Sequence, residues 1–238
     1  MSEKRTLYAK ITDPKIMRIL IYIAMLVFLP GIVIAYVVAV ATGGTLIPPG
    51  TYNMIDNYIS DLGSVRFTAA PFILDTIHMT TGIIMLPLFL YTKDLALEYI
   101  EEYQKNLGLA KFLKILTYLG LISLLIGALG LFSVGLFSED RDIPPGSHYF
   151  FSIVVFGGFC SGAFWYGLVS VLNKSYVPKI LGFFMLVGPI TSVLLFVIKP
   201  APFTAPALEW VMLFCIFFWI IPVGIYILKL IKENEKKE

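Results

Sequence analysis

The sequence has little charge and only two cysteines. Charged residues make up 14% of the 238 residues, against 58% hydrophobic residues, whereas a soluble domain carries about 25% charged residues. This composition excludes an ordinary soluble domain, because too little charge is present to cover a water-facing surface. Cys160 and Cys215 both lie inside apolar runs, so no disulfide in a loop is inferred. No GxSxG, CxxC or phosphate-cradling glycine loop indicates a known catalytic class.

The sequence contains several long apolar runs. Runs of about 18 or more residues with few charges are typical of membrane-spanning helices. Six occur, at about 16–42, 69–92, 112–137, 149–172, 180–198 and 209–231. The first is too long for the core of a signal peptide, which indicates a retained helix. We therefore predict an all-α integral membrane protein, a single domain over residues 1–238 folded as a six-transmembrane-helix bundle.

The basic residues indicate how this bundle is oriented. All but three of the 18 lysines and arginines, among them Lys4, Arg5 and Lys237, fall in the two tails or in alternate connections. The positive-inside rule places that side in the cytoplasm. We predict a multi-pass protein of the plasma membrane with cytoplasmic N and C termini. The basic residues are topology signals, so they predict no nucleic-acid partner.

The ionisable residues of the opposite, outer side are mostly acidic. They include the only two histidines and lie in the outer loops or the outer half of the spans: Asp56, Asp61, Asp75, His78, Glu139, Asp140, Asp142, His148 and Glu209. Within the first outer loop, apolar residues recur at helical spacing over 54–62. That spacing predicts a short amphipathic helix at the membrane surface, ended by Gly63.

Asp75 and His78 lie about 9 and 13 Å below the start of the second apolar run, at 1.5 Å per residue. Their spacing of three places them on one helix face, and ionisable residues at such depth usually face protein or a water-filled cavity. Three interpretations stay open. Asp75 fixes helix packing by accepting from His78 or a neighbouring helix, or it orients a catalytic or metal-binding histidine, or the pair binds a polar ligand such as a lipid headgroup.

His148 extends the catalytic interpretation to a second span. A zinc site needs three or four nitrogen, oxygen or sulfur ligands, which His78, His148 and Asp75 would supply together with Asp61, Glu139 or Glu209. The candidate catalytic residues are accordingly Asp75, His78 and His148, and the candidate cofactor is a divalent metal such as zinc. No contiguous motif of the HExxH kind supports this set.

Three short motifs carry a resemblance to a known family. "NYISDLGS", "GLFSED" followed by a histidine, and "ALEW" resemble the six-helix membrane family of domain of unknown function 998, related to the FRAG/DRAM/SFK group that is linked to membrane lipid remodelling. The resemblance implies a recurrent polar outer face and no established reaction. It marks Ser60, Asp61, Leu62, Gly63, Gly135, Phe137, Asp140, His148 and Glu209. The sequence departs from the family pattern at Ser138, where proline is common, and at Trp210, where arginine is.

These observations predict a polar site that opens to the outside and binds or processes a membrane lipid or a small polar ligand. Because acids outnumber bases there, the ligand is expected to be a cation, a metal or a neutral headgroup; a phosphate would have to pair with Arg66, Arg141 or Lys199. The candidate ligand-binding residues are Ser60, Asp61, Arg66, Glu139, Asp140, Arg141 and Glu209. Two alternatives stay open, a metal-dependent membrane hydrolase or transferase and a non-catalytic subunit with membrane-protein partners or a second copy of itself.

Overall fold

The computed structural model describes residues 6–236, and within this range the chain is all-helical. A short helix α1 (Leu7–Ile11) precedes six long ones. These are α2 (Pro14–Thr42), α3 (Phe72–Tyr103), α4 (Leu107–Leu136), α5 (Ser147–Leu172), α6 (Lys179–Ile198) and α7 (Ala205–Glu235). Each of the six is long and apolar enough to cross a membrane. The predicted helical class and the prediction of six long apolar helices are therefore confirmed, while Lys4, Arg5 and Lys237 of the topology prediction lie outside the described residues.

The six long helices follow one another around a ring. Each packs against the next in sequence, and α7 returns to α2 with the least contact of any neighbouring pair. That seam is closed by an edge-on contact of Phe28 with Phe217, whose ring centroids are 5.5 Å apart, and by an Arg18–Glu235 ion pair of 2.7 Å between Nη1 and Oε2. We call the end with this ion pair the terminal face, and the opposite end, with loops 43–71, 137–146 and 199–204, the loop face.

Glycines bring α3, α4 and α5 close together, as small residues do in membrane bundles. A Cβ added at Gly135 would lie 2.5 Å from the backbone oxygen of Asp75, and one at Gly158 would lie 2.5 Å from the Cα of Gly127. At both sites the backbone of the adjacent helix occupies the space that a side chain needs. The Gly135 contact sets α4 directly against the turn of α3 that carries Asp75 and His78.

The structure corrects the predicted helix in the first loop. Residues 54–62 form turns, and the only regular element there is the 3₁₀ turn Ser60–Gly63. Side chains bond the local backbone instead. Asn53 Oδ1 accepts from the amides of Ile55 and Asp56, and Asp61 Oδ2 accepts from the amide of Tyr58 at 2.8 Å. Such local bonds compete with α-helix formation, so the apolar spacing was misread.

Candidate functional site

The Ser60–Gly63 turn is held against the bundle by carboxylates from two other segments. Glu209, the fifth residue of α7, accepts a hydrogen bond from the Ile59 amide at 2.7 Å. Ser60 Oγ donates to Glu139 Oε1 at 3.0 Å. Asp140 accepts from Ser64 Oγ at 2.7 Å and from the Val65 amide at 2.7 Å. We call Asp61, Glu139, Asp140 and Glu209 the acidic latch, because Asp61 bonds the loop's own backbone and the other three fasten the first loop over the loop face.

Asp61 is the buried member of the latch that lies outside the long helices. Its carboxylate accepts from the Tyr58 amide and is also bonded by the side chain of Asn57. Burial, and secondarily the negative charge of Glu139, raises the pKa of Asp61 to about 7. This carboxyl group therefore exchanges its proton near neutral pH, unlike an exposed aspartate, which titrates near about 3.9.

We expect the stability of the folded protein to fall as the pH rises from about 4 to about 7, because Asp61 titrates near about 3.9 when unfolded and near about 7 when folded. A raised folded-state pKa means that the folded chain binds the proton more tightly. The stabilisation is therefore complete below the unfolded pKa and is lost as the pH rises through the folded one. Melting temperatures measured across this range check the slope. Asp61→Asn should flatten it, and an equal slope in that variant would assign the effect to other groups.

A second polar group joins α3 to the 137–146 loop. Arg141 Nη2 donates to Asp75 Oδ2 at 2.8 Å and to the Gly135 carbonyl at 2.7 Å, and Arg141 Nε donates to the Leu136 carbonyl at 3.0 Å. Asp75 is only 4% exposed. Asp75 thus bonds the 137–146 loop, and no hydrogen bond among residues 6–236 joins it to His78. Two of the three Arg141 guanidinium nitrogens, Nε and Nη2, are bonded to the protein.

The two histidines have separate surroundings. His78 is buried on α3 and stacks on Phe28, with ring centroids 6.1 Å apart. His148, in the first turn of α5, uses Nδ1 to contact the Phe137 carbonyl at 2.8 Å, and its Nε2 is buried with no hydrogen-bond partner in the described chain. Between Thr6 and Lys236 no group of three or more His, Cys, Asp or Glu side chains is placed to hold a metal ion. The zinc and catalytic hypotheses therefore gain no support from this geometry.

The remaining predicted basic residue, Arg66, is exposed on the first loop. Its guanidinium carbon lies 5.6 Å from the ring centroid of Phe67. In the 137–146 loop, Asp142 accepts from the amides of Gly146 and His148 at 2.8 and 2.9 Å, and these bonds lower the pKa of its carboxyl group. Of the predicted residues, Ser60 and the acidic latch come together around one turn, Asp75 and Arg141 form a neighbouring pair, and Arg66 stays at the edge.

A cavity of about 160 Å³ lies inside the helix ring. Apolar side chains from all six long helices line most of it. At the loop face its wall includes Ser60, His78 and Glu209, and at the terminal face it reaches Val177 and Ile227. Sequence reasoning missed this cavity. The available signals were Tyr166 and Trp219, two polar-tipped aromatic residues placed well inside apolar spans.

Comparison with protein-family models, with curated proteins and with solved structures found no match to this chain. The family resemblance drawn from the three short motifs therefore stays a prediction.

Proposed function

We propose that the protein binds a long-chain amphiphile taken from the membrane, with the chain in the central cavity and the polar end beneath the Ser60–Gly63 turn. The observation that carries this proposal is the gradient along the cavity wall, which is apolar over most of its length and carries Ser60, His78 and Glu209 at the loop face. Ligand sites combine apolar walls with a few polar groups that fix orientation in this way.

The charges around the loop-face end of the cavity restrict which chemical groups the polar end of the ligand can carry. Glu209 lines the cavity at this end, and Glu139 and Asp61 lie beside the Ser60–Gly63 turn. Arg141 is already bonded to Asp75. A phosphate would meet more carboxylates than free cations here, so the favoured polar end is a neutral hydroxyl or amide, or a cation. A member of a family linked to lipid remodelling, as the motifs suggest, would fit this ligand class.

The seam between α2 and α7 offers a route into the cavity. Met25 and Leu29 of α2 and Ile221 and Gly224 of α7 line the cavity, and they lie on the two helices with the least mutual contact in the ring. A chain lying in the membrane would enter sideways between them. We place this entry in the plasma membrane, with the loop face outside and both termini in the cytoplasm, on the basis of the lysine and arginine distribution.

Filling the cavity should abolish binding. Ala24 is buried on α2 and lines the cavity, whereas Ala41 is exposed near the end of the same helix. We expect Ala24→Phe to lower the binding of radiolabelled octadecan-1-ol at least about tenfold by occupying the site, and Ala41→Phe to leave it unchanged. Saturable binding to purified protein in nanodiscs is the measurement.

Two controls make this test decisive. Circular dichroism and size-exclusion profiles must match the wild type in both variants, and lipid extracts of each should be compared by mass spectrometry. Loss of a stoichiometric copurifying amphiphile in Ala24→Phe alone would support the proposal. Non-saturable octadecan-1-ol uptake that is equal in all three proteins would refute it.

A further inference from the structure

Two polar atoms of residues that line the central cavity are buried without a hydrogen-bond partner in the described chain. They are the indole Nε1 of Trp219, a residue 2% exposed, and the hydroxyl of Tyr166, a residue 4% exposed. Both residues line the cavity. Buried polar groups are nearly always paired in folded proteins, so these two exceptions call for a partner that is absent from residues 6–236.

The chemistry of these groups specifies that partner. An indole N–H can only donate, while a phenol hydroxyl can donate or accept, so Trp219 requires an acceptor. A water molecule is a poor candidate, because a buried water needs several polar partners and the surrounding wall is mostly apolar. An acceptor oxygen carried by the bound chain itself would satisfy Trp219 without bringing water into the cavity.

The position of Trp219 separates this acceptor from the polar end of the ligand. Glu209 and Trp219 both belong to α7, and at 1.5 Å per residue they are about 15 Å apart along the helix. A headgroup beneath the Ser60–Gly63 turn therefore cannot reach the indole. The acceptor must lie well down the chain.

We infer that the ligand is an amphiphile whose chain is oxygenated in its interior, with a keto, ether or ester oxygen that accepts a hydrogen bond from Trp219 and lies within the part of the cavity that Tyr166 also lines. This inference rests on the proposed function and narrows its ligand class from a plain alkyl chain to an internally oxygenated one. It assigns Trp219 as the residue that selects between them.

A matched pair of probes tests the assignment. Octadecan-1-ol and its analogue with a mid-chain keto group differ only by the acceptor oxygen. We expect the keto analogue to bind wild-type protein about fivefold more tightly, which is the scale of one added hydrogen bond. Trp219→Phe should remove this preference, so that the two probes bind the variant with equal affinity. Tyr166→Phe, which removes only a hydroxyl, reports whether the phenol shares the contact.

The outcomes separate the two proposals. Equal affinity of the two probes for wild-type protein would overturn the inference and leave the proposed function standing, as expected if the unpaired atoms meet only water. If neither probe binds saturably, the proposed function is overturned. If Trp219→Phe and Tyr166→Phe both still prefer the keto probe, neither side chain is the donor to its oxygen. If Trp219→Phe fails to fold, wild-type tryptophan emission decides, because a red shift with the keto probe alone supports the contact and its absence refutes it.

Discussion

Arg141→Ala should lower the free energy of unfolding by about 2–3 kcal/mol, because it leaves the Asp75 carboxylate buried without its cation. Removing one partner of a fully buried ion pair costs about 3–5 kcal/mol. The smaller value applies here because the Arg141 side chain is 51% exposed, whereas that of Asp75 is 6% exposed. The substitution also removes the donors to the Gly135 and Leu136 carbonyls at the end of α4. Denaturant unfolding in mixed micelles measures the loss.

A double-mutant cycle identifies the buried charge as the cause. Asp75→Asn in the Arg141→Ala background removes the uncompensated carboxylate, so the double variant should recover part of the lost stability. Arg141→Lys keeps the charge without the two-nitrogen fork and should fall between the wild type and the alanine variant. Stability of Arg141→Ala within about 0.5 kcal/mol of wild type, the range of ordinary surface substitutions, would show that the pair contributes little to the fold.

The sequence was sufficient to predict the six long helices, because each contains an apolar run that has no other stable solution in a membrane. It was less informative about where they end. The second run was expected to stop near 92, but α3 continues to Tyr103. Hydropathy detects the part of a helix that would contact lipid, whereas residues such as Glu98 and Leu95 are good helix formers and prolong the helix after hydropathy has fallen.

The first loop illustrates a different limit. Its apolar residues have helical spacing, yet the side chains of Asn53 and Asp61 bond nearby backbone amides and hold the segment in turns. Periodicity records where apolar residues recur and takes no account of such bonds. The same bonds give the loop the shape in which Glu209 can reach the Ile59 amide.

The candidate site was predictable in its location and unpredictable in its bonding. Placing charges by their depth along the spans assigned Ser60, Glu139 and Glu209 to one face, and the structure brings them to one turn. An association of Asp75 with His78 was one of the interpretations that their spacing left open. Arg141, distant in sequence, bonds the Asp75 carboxylate. Only the packing of α4 against α3 could reveal this pairing.

The central cavity lay beyond sequence reasoning because it is space that six helices leave unfilled. Whether Ala24 and Trp219 meet neighbours or a void depends on how the ring closes, and no single run contains that information. The two unpaired donors carry meaning only once their surroundings are known. A tryptophan within a span is ordinary, whereas a buried indole that finds no acceptor among residues 6–236 is the observation on which the inferred ligand rests.

Glu209→Ala should release the first loop and lower the free energy of unfolding by about 2–4 kcal/mol, since a buried amide left without its acceptor costs about 1–3 kcal/mol. The carboxylate accepts from the Ile59 amide at 2.7 Å and also from the Ser60 amide. With both bonds lost, residues 43–71 would still be attached through Glu139, through Asp140 and through the Trp210 indole, which donates to the Asn57 carbonyl at 3.1 Å. Unfolding curves measure the loss, and hydrogen exchange of the Ile59 and Ser60 amides reports the release of the loop.

Glu209→Gln is the matched control, because its amide oxygen can still accept from the Ile59 amide while the negative charge is removed. If the latch depends on acceptor geometry, the glutamine variant should keep slow exchange at Ile59 and lose no more than about 1 kcal/mol. If it depends on charge, glutamine and alanine should behave alike. Slow exchange at both amides in Glu209→Ala would contradict the latch altogether.

Glu209 also lines the loop-face end of the cavity. A glutamine variant that holds the loop but binds octadecan-1-ol differently from wild type would therefore separate the residue's part in ligand binding from its part in the fold.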